Sequence, residues 1–426
     1  MTDAKGKRIF EWGKTALIVV LVLSALLLGW QTGLFNEFFG SLPFFGDTPR
    51  QGTPGISGVE FKEAARPLAI VITNENAERY GIKYDTVARN AVYDRMSSIL
   101  GEALGSASAP MEISEDEWRQ ALSCIGVYFE YVRPVSLSVL DGWLGVRLPD
   151  AVEDAPVRRV FVAFGEDRGK VYYQNSDSEL FFVAETATAA GKAQELDVYT
   201  PNGTQFSFET GISNAETTPY AILLPGISDH QVVRASVSHS AEEMVAIVID
   251  SMGYTIETST PRYDSDGKLV RVGIQFNIRA DVYGRVMYRR TEILPETGMM
   301  QTLNDGGVIE RARAIVTEIL GNMDSGAEAF YESLEYGERG SRSVVFGYYI
   351  AGGRIDLYED AYAAKVTFVG DTITEMEIVL RSFSHSGEYT RLPRERQAFA
   401  AADGEFLLSY SDTGQELLQP FWGKYS

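Results

Sequence analysis

The 426-residue chain contains one cysteine, Cys124, and three histidines, His230, His239 and His385. A single thiol excludes an intramolecular disulfide, which suits a bacterial exported protein held by its core rather than by covalent staples. In LSCIGV, Cys124 is expected to be a small buried apolar residue. The histidines are isolated from one another, with no HExxH or HxH pair, so a zinc site would need carboxylates from scattered places. GxSxG, a P-loop and GxGxxG after a strand are also missing. Basic residues are scarce: 38 Lys and Arg stand against 59 Asp and Glu, for a net charge of −21. That balance argues against nucleic acid or anionic lipid as partners, since both need a basic patch. With 59 carboxylates, candidate acid pairs for glycan hydrolysis are everywhere and single nothing out. Asp264-Ser-Asp266-Gly267 lacks the third acidic position and the closing Glu of an EF-hand. The chain is therefore expected to have no catalytic residues, no metal, no cofactor and no small-molecule substrate.

What the chain does have is one long uncharged run, Thr15 to Asn36, between Lys14 and Glu37. At about 1.5 Å per residue a helix of that length spans roughly 33 Å, enough for a bilayer core. Residues 1–14 carry Lys5, Lys7, Arg8 and Lys14 against Asp3 and Glu11, net +2, so the remainder is −23. Basic flanks stay in the cytoplasm, which puts the remainder outside the cell. The run is too long for a signal peptide's apolar region and has no Ala-x-Ala exit, so an uncleaved anchor is expected. Trp30 is the expected interface anchor. Ala25, Gly29 and Gly33 share one helix face and are small enough to admit another membrane helix, the expected membrane-helix contact.

Residues 37–60 read as a Gly/Pro-rich linker. Beyond it the strand pattern RPLAIVITN (66–74) precedes a helix at Asp85–Leu104 with apolar residues at helical spacing. Ser114-Glu-Asp-Glu117 and Ser240-Ala-Glu-Glu243 are capping boxes that open helices. Residues 157–225 read as a strand meander that includes AQELDVYT and TQFSFE, with Asn202-Gly203 as a hairpin turn. Helix Ala241–Met252 leads into strands, and helix Val308–Leu320, capped by Asn304 or Asp305, does the same. GRVMY (284–288) and GRIDLY (353–358) mark matching strands of what read as two copies of one unit. The expected fold class is α+β: a transmembrane helix, an N-terminal α+β domain and two related helix-plus-antiparallel-sheet domains. The expected segments are a tail (1–14), anchor (15–36), linker (37–60), N-terminal domain (61–230), middle domain (231–303) and C-terminal domain (304–426).

Several stretches together resemble the YycH/YycI family of Gram-positive bacteria, most of all its YycH branch. They are KTALIVVLVLSALLLGWQTGLF, then YGIKYD, EDEWRQAL and LDGWLG. The YycI-like end, FGYYIAGGRIDLYEDAYAAKVTFVGD with LLQPFW, completes the set. The resemblance implies a membrane-anchored extracytoplasmic regulator of an essential sensor histidine kinase governing cell-wall metabolism. It also implies, as partners, the kinase's membrane helices and a second YycH/YycI-type protein. An anchored cell-wall enzyme or a protease-inhibitor-like module is the competing reading.

Overall fold

The computed structural model describes residues 61–424, apart from 166, 188–192, 213, 215–216, 255–259, 292–302 and 324. The expected anchor and linker lie outside the described residues. Among the described ones, no helix is long and apolar enough to cross a membrane. The architecture is α+β, with six α-helices among the described residues and large, mainly antiparallel sheets.

The first sheet is built from β1 (Ala69–Thr73), β2 (Arg79–Ile82), β3 (Met111–Ile113), β4 (Gly126–Ser136), β5 (Pro156–Ala163), β6 (Gly169–Asn175) and β7 (Phe181–Thr186). Their order is β2-β1-β4-β5-β6-β7-β3. Successive side chains of a strand point to opposite faces, so this sheet buries two sets. Ile70, Ile72, Val127 and Phe129 pack with α1 (Thr86–Gly105) and α3 (Leu137–Leu144). Ala69, Val71, Tyr128 and Phe161 pack with Trp118 of α2 (Glu115–Ala121) and with Phe206 and Tyr220. The helix starts follow their caps. Asp85 accepts from the Ala88 N–H at 2.9 Å, and Ser114 and Glu117 form the expected reciprocal box. Pro134 lies inside β4 where the register with β5 slips, a place where a missing N–H is tolerated.

Three expectations for this half are corrected. The AQELDVYT segment is a 3-10 helix (Ala193–Leu196) rather than a strand. Asn202-Gly203 is not a hairpin either. The Asn202 side chain donates to the Gly81 carbonyl at 2.7 Å and accepts from the Gly81 N–H at 3.1 Å, acting as a one-residue partner for β2. An edge strand's unpaired groups are satisfied this way without a further strand. Cys124 is also exposed rather than buried. Leu122, just past the end of α2, takes the inward position and leaves Cys124 on the outer side of the turn into β4.

After the short pair β8 (Gln205–Phe206) and β9 (Ile222–Leu223) comes β10 (Asp229–Ser236). Next is α4 (Ala241–Ser251), opened by the Ser240–Glu243 box, then β11 (Thr260–Tyr263), β12 (Leu269–Val272), β13 (Phe276–Ala280) and β14 (Arg285–Arg290). Asn304 caps α5 (Asp305–Gly321), which precedes β15 (Glu328–Tyr336), β16 (Ser341–Ile350), β17 (Gly353–Leu357), β18 (Ala364–Val369), β19 (Thr372–Val379) and β20 (Ser382–Arg391). The chain ends with α6 (Glu395–Ala401), β21 (Phe406–Asp412), β22 (Leu417–Leu418) and β23 (Pro420–Lys424).

The two helix-plus-strand segments share one large sheet, because β14 pairs antiparallel with β19. GRVMY and GRIDLY do not occupy matching places in it. GRVMY runs into β14, at the junction between the segments, whereas β17 pairs with the end of β16 and, in parallel, with β21. One buried row crosses the sheet in register, Ile278, Tyr288, Met376, Val366 and Val344. It joins the core cluster that contains Met244, Val245 and Val248 of α4 and Val308, Ala312 and Val316 of α5. Farther along, the opposite face of the sheet is covered: Tyr349, Phe330 and Leu407 meet Leu68 and Val132 from the first half of the chain. β10, β20 and β22 form a separate three-stranded sheet.

Candidate interaction surface

Among the described residues, the first half of the chain covers the outer face near β15, β16 and β21, and none of them covers the same face of β11–β14, β19 and β18. Its residues follow from the register. Arg279, Met287, Glu377 and Lys365 lie in one cross-strand row, and Asn277, Arg289, Glu375 and Thr367 in the next. Arg262 lies opposite Val270, which lies opposite Arg279. A shallow groove of about 520 Å³ runs over these rows. Val272 is 45% and Met287 47% exposed, and Ile274 at the β12–β13 turn is 86% exposed.

Part of the charge on this face is paired within the sheet. Arg289 and Glu375 approach to 2.9 Å, Arg285 and Glu377 to 2.9 Å, and Lys365 and Glu335 to 2.7 Å. Arg262 and Arg279 have no ion-pair partner among the described residues. Residues 260–290 carry seven Lys and Arg against three Asp and Glu, net +4 in a chain of −21, although Arg271 and Arg290 lie opposite Ile278 and Phe276 on the core-facing side. The overall acidity therefore conceals a basic region, and a windowed charge count would have exposed it. Exposed methionine and valine between unpaired arginines form a surface suited to an acidic protein partner with some apolar contact.

The three histidines, isolated in sequence, line one cleft of about 970 Å³ beside β10 and β20. His230 is 3% exposed, with the rings of Tyr84 and Trp422 packed edge-on at 5.0 and 5.3 Å. Burial, reinforced by the charge of Lys83, pushes its imidazole down to about 4. His239 Nδ1 meets Ser238 Oγ at 3.0 Å, and His385 Nε2 meets Tyr389 Oη at 3.0 Å. No group of three His, Cys, Asp or Glu among the described residues is arranged to hold a metal ion. Neither His239 nor His385 has a carboxylate among these partners to orient it as a catalytic base.

Beside this cleft the two halves of the chain are locked together. Glu395, the first residue of α6, is fully buried. It accepts from the Leu224 N–H at 2.5 Å and from the Tyr84 hydroxyl, and lies 3.6 Å from Lys83 Nζ. Arg89 to Glu328 at 2.5 Å and Arg158 to Glu405 at 2.7 Å add ionic links between the same halves. The sequence-predicted residues Ala25, Gly29, Trp30 and Gly33 lie outside the described residues, so neither the helix-contact face nor the interface anchor has a described position.

No family model and no curated protein matches the chain. Among solved structures it is similar to YycH from Bacillus subtilis, with a TM-score of 0.55 at 12% identity, over 88% of this chain and 96% of that one. At that identity the likeness establishes a shared fold. An uncharacterized protein from Eubacterium rectale aligns at a TM-score of 0.31 and 10% identity, over 46% of this chain and 76% of that one, and carries no argument.

Proposed function

We propose that this protein is a membrane-anchored extracytoplasmic regulator of a two-component sensor histidine kinase that controls cell-wall metabolism. The observation that carries the reading is the fold shared with YycH over nearly the whole length of both chains. The sequence resemblance to the YycH/YycI family points the same way. In this reading the helix 15–36 holds the protein in the membrane with residues 1–14 in the cytoplasm and the body outside. Ala25, Gly29 and Gly33 contact the kinase's membrane helices, and Trp30 anchors the outer interface. The open face carrying Arg262, Arg279 and Met287 receives an outer partner, the kinase's own extracytoplasmic part or a second YycH/YycI-type protein. The work is done by contact, and no catalytic step is assigned to the chain.

The test replaces Thr15–Gly33 with an unrelated apolar helix of equal length and measures phosphorylation of the cognate response regulator in cells. The expected result is lost regulation although the protein still reaches the membrane. Kinase output that stays normal after the swap would rule out contact through the stem.

A further inference from the structure

At the end of the large sheet where β11 turns into β12 and β13 into β14, a cavity of about 180 Å³ opens between segments distant in sequence. Its walls come from the Asp266–Lys268 turn, the Asp281–Arg285 turn, the connection after β17, the end of β19 and the turn after β21. Tyr283 and Tyr358 flank it, half exposed, with ring centroids 5.4 Å apart and planes tilted by 37°. Tyr283 is backed by Gly414, where an added Cβ would lie 3.2 Å from the ring. Tyr358 begins a turn whose next two residues, Glu359 and Asp360, hold φ of 55° and 52°. Two consecutive non-glycine residues in the left-handed region carry strain that the surrounding structure must enforce.

Several charged groups here lie in pairs, while Asp266 and Lys268 on the wall have no ion pair among the described residues. Arg381 Nε lies 2.7 Å from Asp412 Oδ2, with both side chains nearly inaccessible. Asp412 Oδ1 accepts from the Gly414 N–H at 3.0 Å. Arg285 spans Glu359 at 3.5 Å and Glu377 at 2.9 Å. Asp281 Oδ1 accepts from the N–H groups of Tyr283 and Arg285 at 2.9 and 3.0 Å. Paired charges largely cancel at a distance, so the cavity draws a free ion of either sign weakly. At close range it presents donors and acceptors beside two tyrosine rings.

That combination suits a neutral ring with hydroxyls on its rim and C–H bonds on its faces. The hydroxyls can both donate and accept, and the C–H faces lie against tyrosine. The volume equals the share of about six waters at about 30 Å³ each, below the roughly 300–1,000 Å³ of pockets for larger ligands. We propose that this cavity binds a single saccharide residue, stacked on Tyr358 and Tyr283 and hydrogen-bonded by Arg285 and Glu359. The proposal is independent of the kinase reading, since binding here is measured without any partner.

The experiment is saturation-transfer NMR and calorimetric titration of the full chain in detergent with methyl glucoside, N-acetylglucosamine and, as a non-saccharide of similar size, glutamine. The expected result is saturable binding of at least one sugar, weakened at least about tenfold, or 1.4 kcal/mol, by Tyr358→Ala. Tyr389→Ala, an exposed ring in a different cleft, should leave it unchanged. Both tyrosines are partly exposed, so the melting temperature should hold; if Tyr358→Ala unfolds, Glu359→Gln repeats the test. Absence of sugar binding, binding indifferent to these substitutions at the cavity, or binding of glutamine alone would each overturn the proposal.

Discussion

Glu395→Ala should be among the most damaging single substitutions in the described structure. It removes the carboxylate that pairs with Lys83, itself only 8% exposed, and it strips the Leu224 N–H and the Tyr84 hydroxyl of their acceptor. Breaking one side of a buried ion pair costs about 3–5 kcal/mol, because the other charge stays buried and unpaired. Domains are typically stable by only about 5–15 kcal/mol, so the variant should lose a large share of its stability. Glu395→Gln keeps the shape and one acceptor oxygen and should cost less, about 1–3 kcal/mol. Burial raises the Glu395 carboxyl above its ordinary 4.5, opposed by Lys83 and the hydrogen bonds. The native state then holds the proton longer than the unfolded chain does. The wild type therefore loses stability as pH rises from 4.5 through the raised value, and the deficit of the Gln variant should shrink over that window. Urea unfolding of the full chain in detergent measures this through tryptophan fluorescence. Trp422 lies close by, against His230, and reports on the region directly. The Lys83→Met/Glu395→Ala double variant should be less destabilised than the sum of the single ones, since it leaves no orphaned charge. A loss below about 1 kcal/mol for Glu395→Ala, or strict additivity in the double variant, would refute the buried-lock argument.

His230 titrates at about 4 when folded against 6.5 for an ordinary imidazole, so the unfolded chain binds the extra proton between those values. Stability should fall by about 2 kcal/mol from pH 8 to pH 5 on this account, and a His230→Phe variant should lose that part of the slope in paired urea titrations. On the open sheet face, Arg262→Glu with Arg279→Glu should leave the melting temperature within about 2 °C, as surface changes usually do. The same pair should reduce photo-crosslinking from position 287 to the kinase or to a second YycH/YycI-type protein in cells. Unchanged crosslinking to either would remove this face from the proposed contact.

Local chemistry was legible in the sequence wherever it acts over a few residues. Both capping boxes and the caps that start α1 and α5 depend on contacts three or four positions apart, so reading the chain in order reveals them, whereas Val87 of α1, apolar by spacing, is 82% exposed and Arg89 is buried. Asn202 and the AQELDVYT segment were misread because their partners are remote. An Asn-Gly pair signals a turn on its own, and only the arrival of Gly81 from more than a hundred residues away turns that amide into a strand partner. The exposure of Cys124 has the same origin, since apolar neighbours do not say which residue of a turn faces inward.

The sequence alone determined the α+β character, the lack of any disulfide or familiar catalytic motif, and a 22-residue uncharged run long enough to span a bilayer, because composition and periodicity carry those properties directly. Tertiary structure decided which distant residues became neighbours. It joined β14 to β19 in one sheet, covered one end of that sheet and, among the described residues, left a face with Arg262 and Arg279 open at the other. It gathered three scattered histidines into one cleft and closed Lys83, Leu224 and Glu395 into a single buried knot. Such juxtapositions depend on strand order and register, and many sequences with the same local periodicity could pair their strands otherwise.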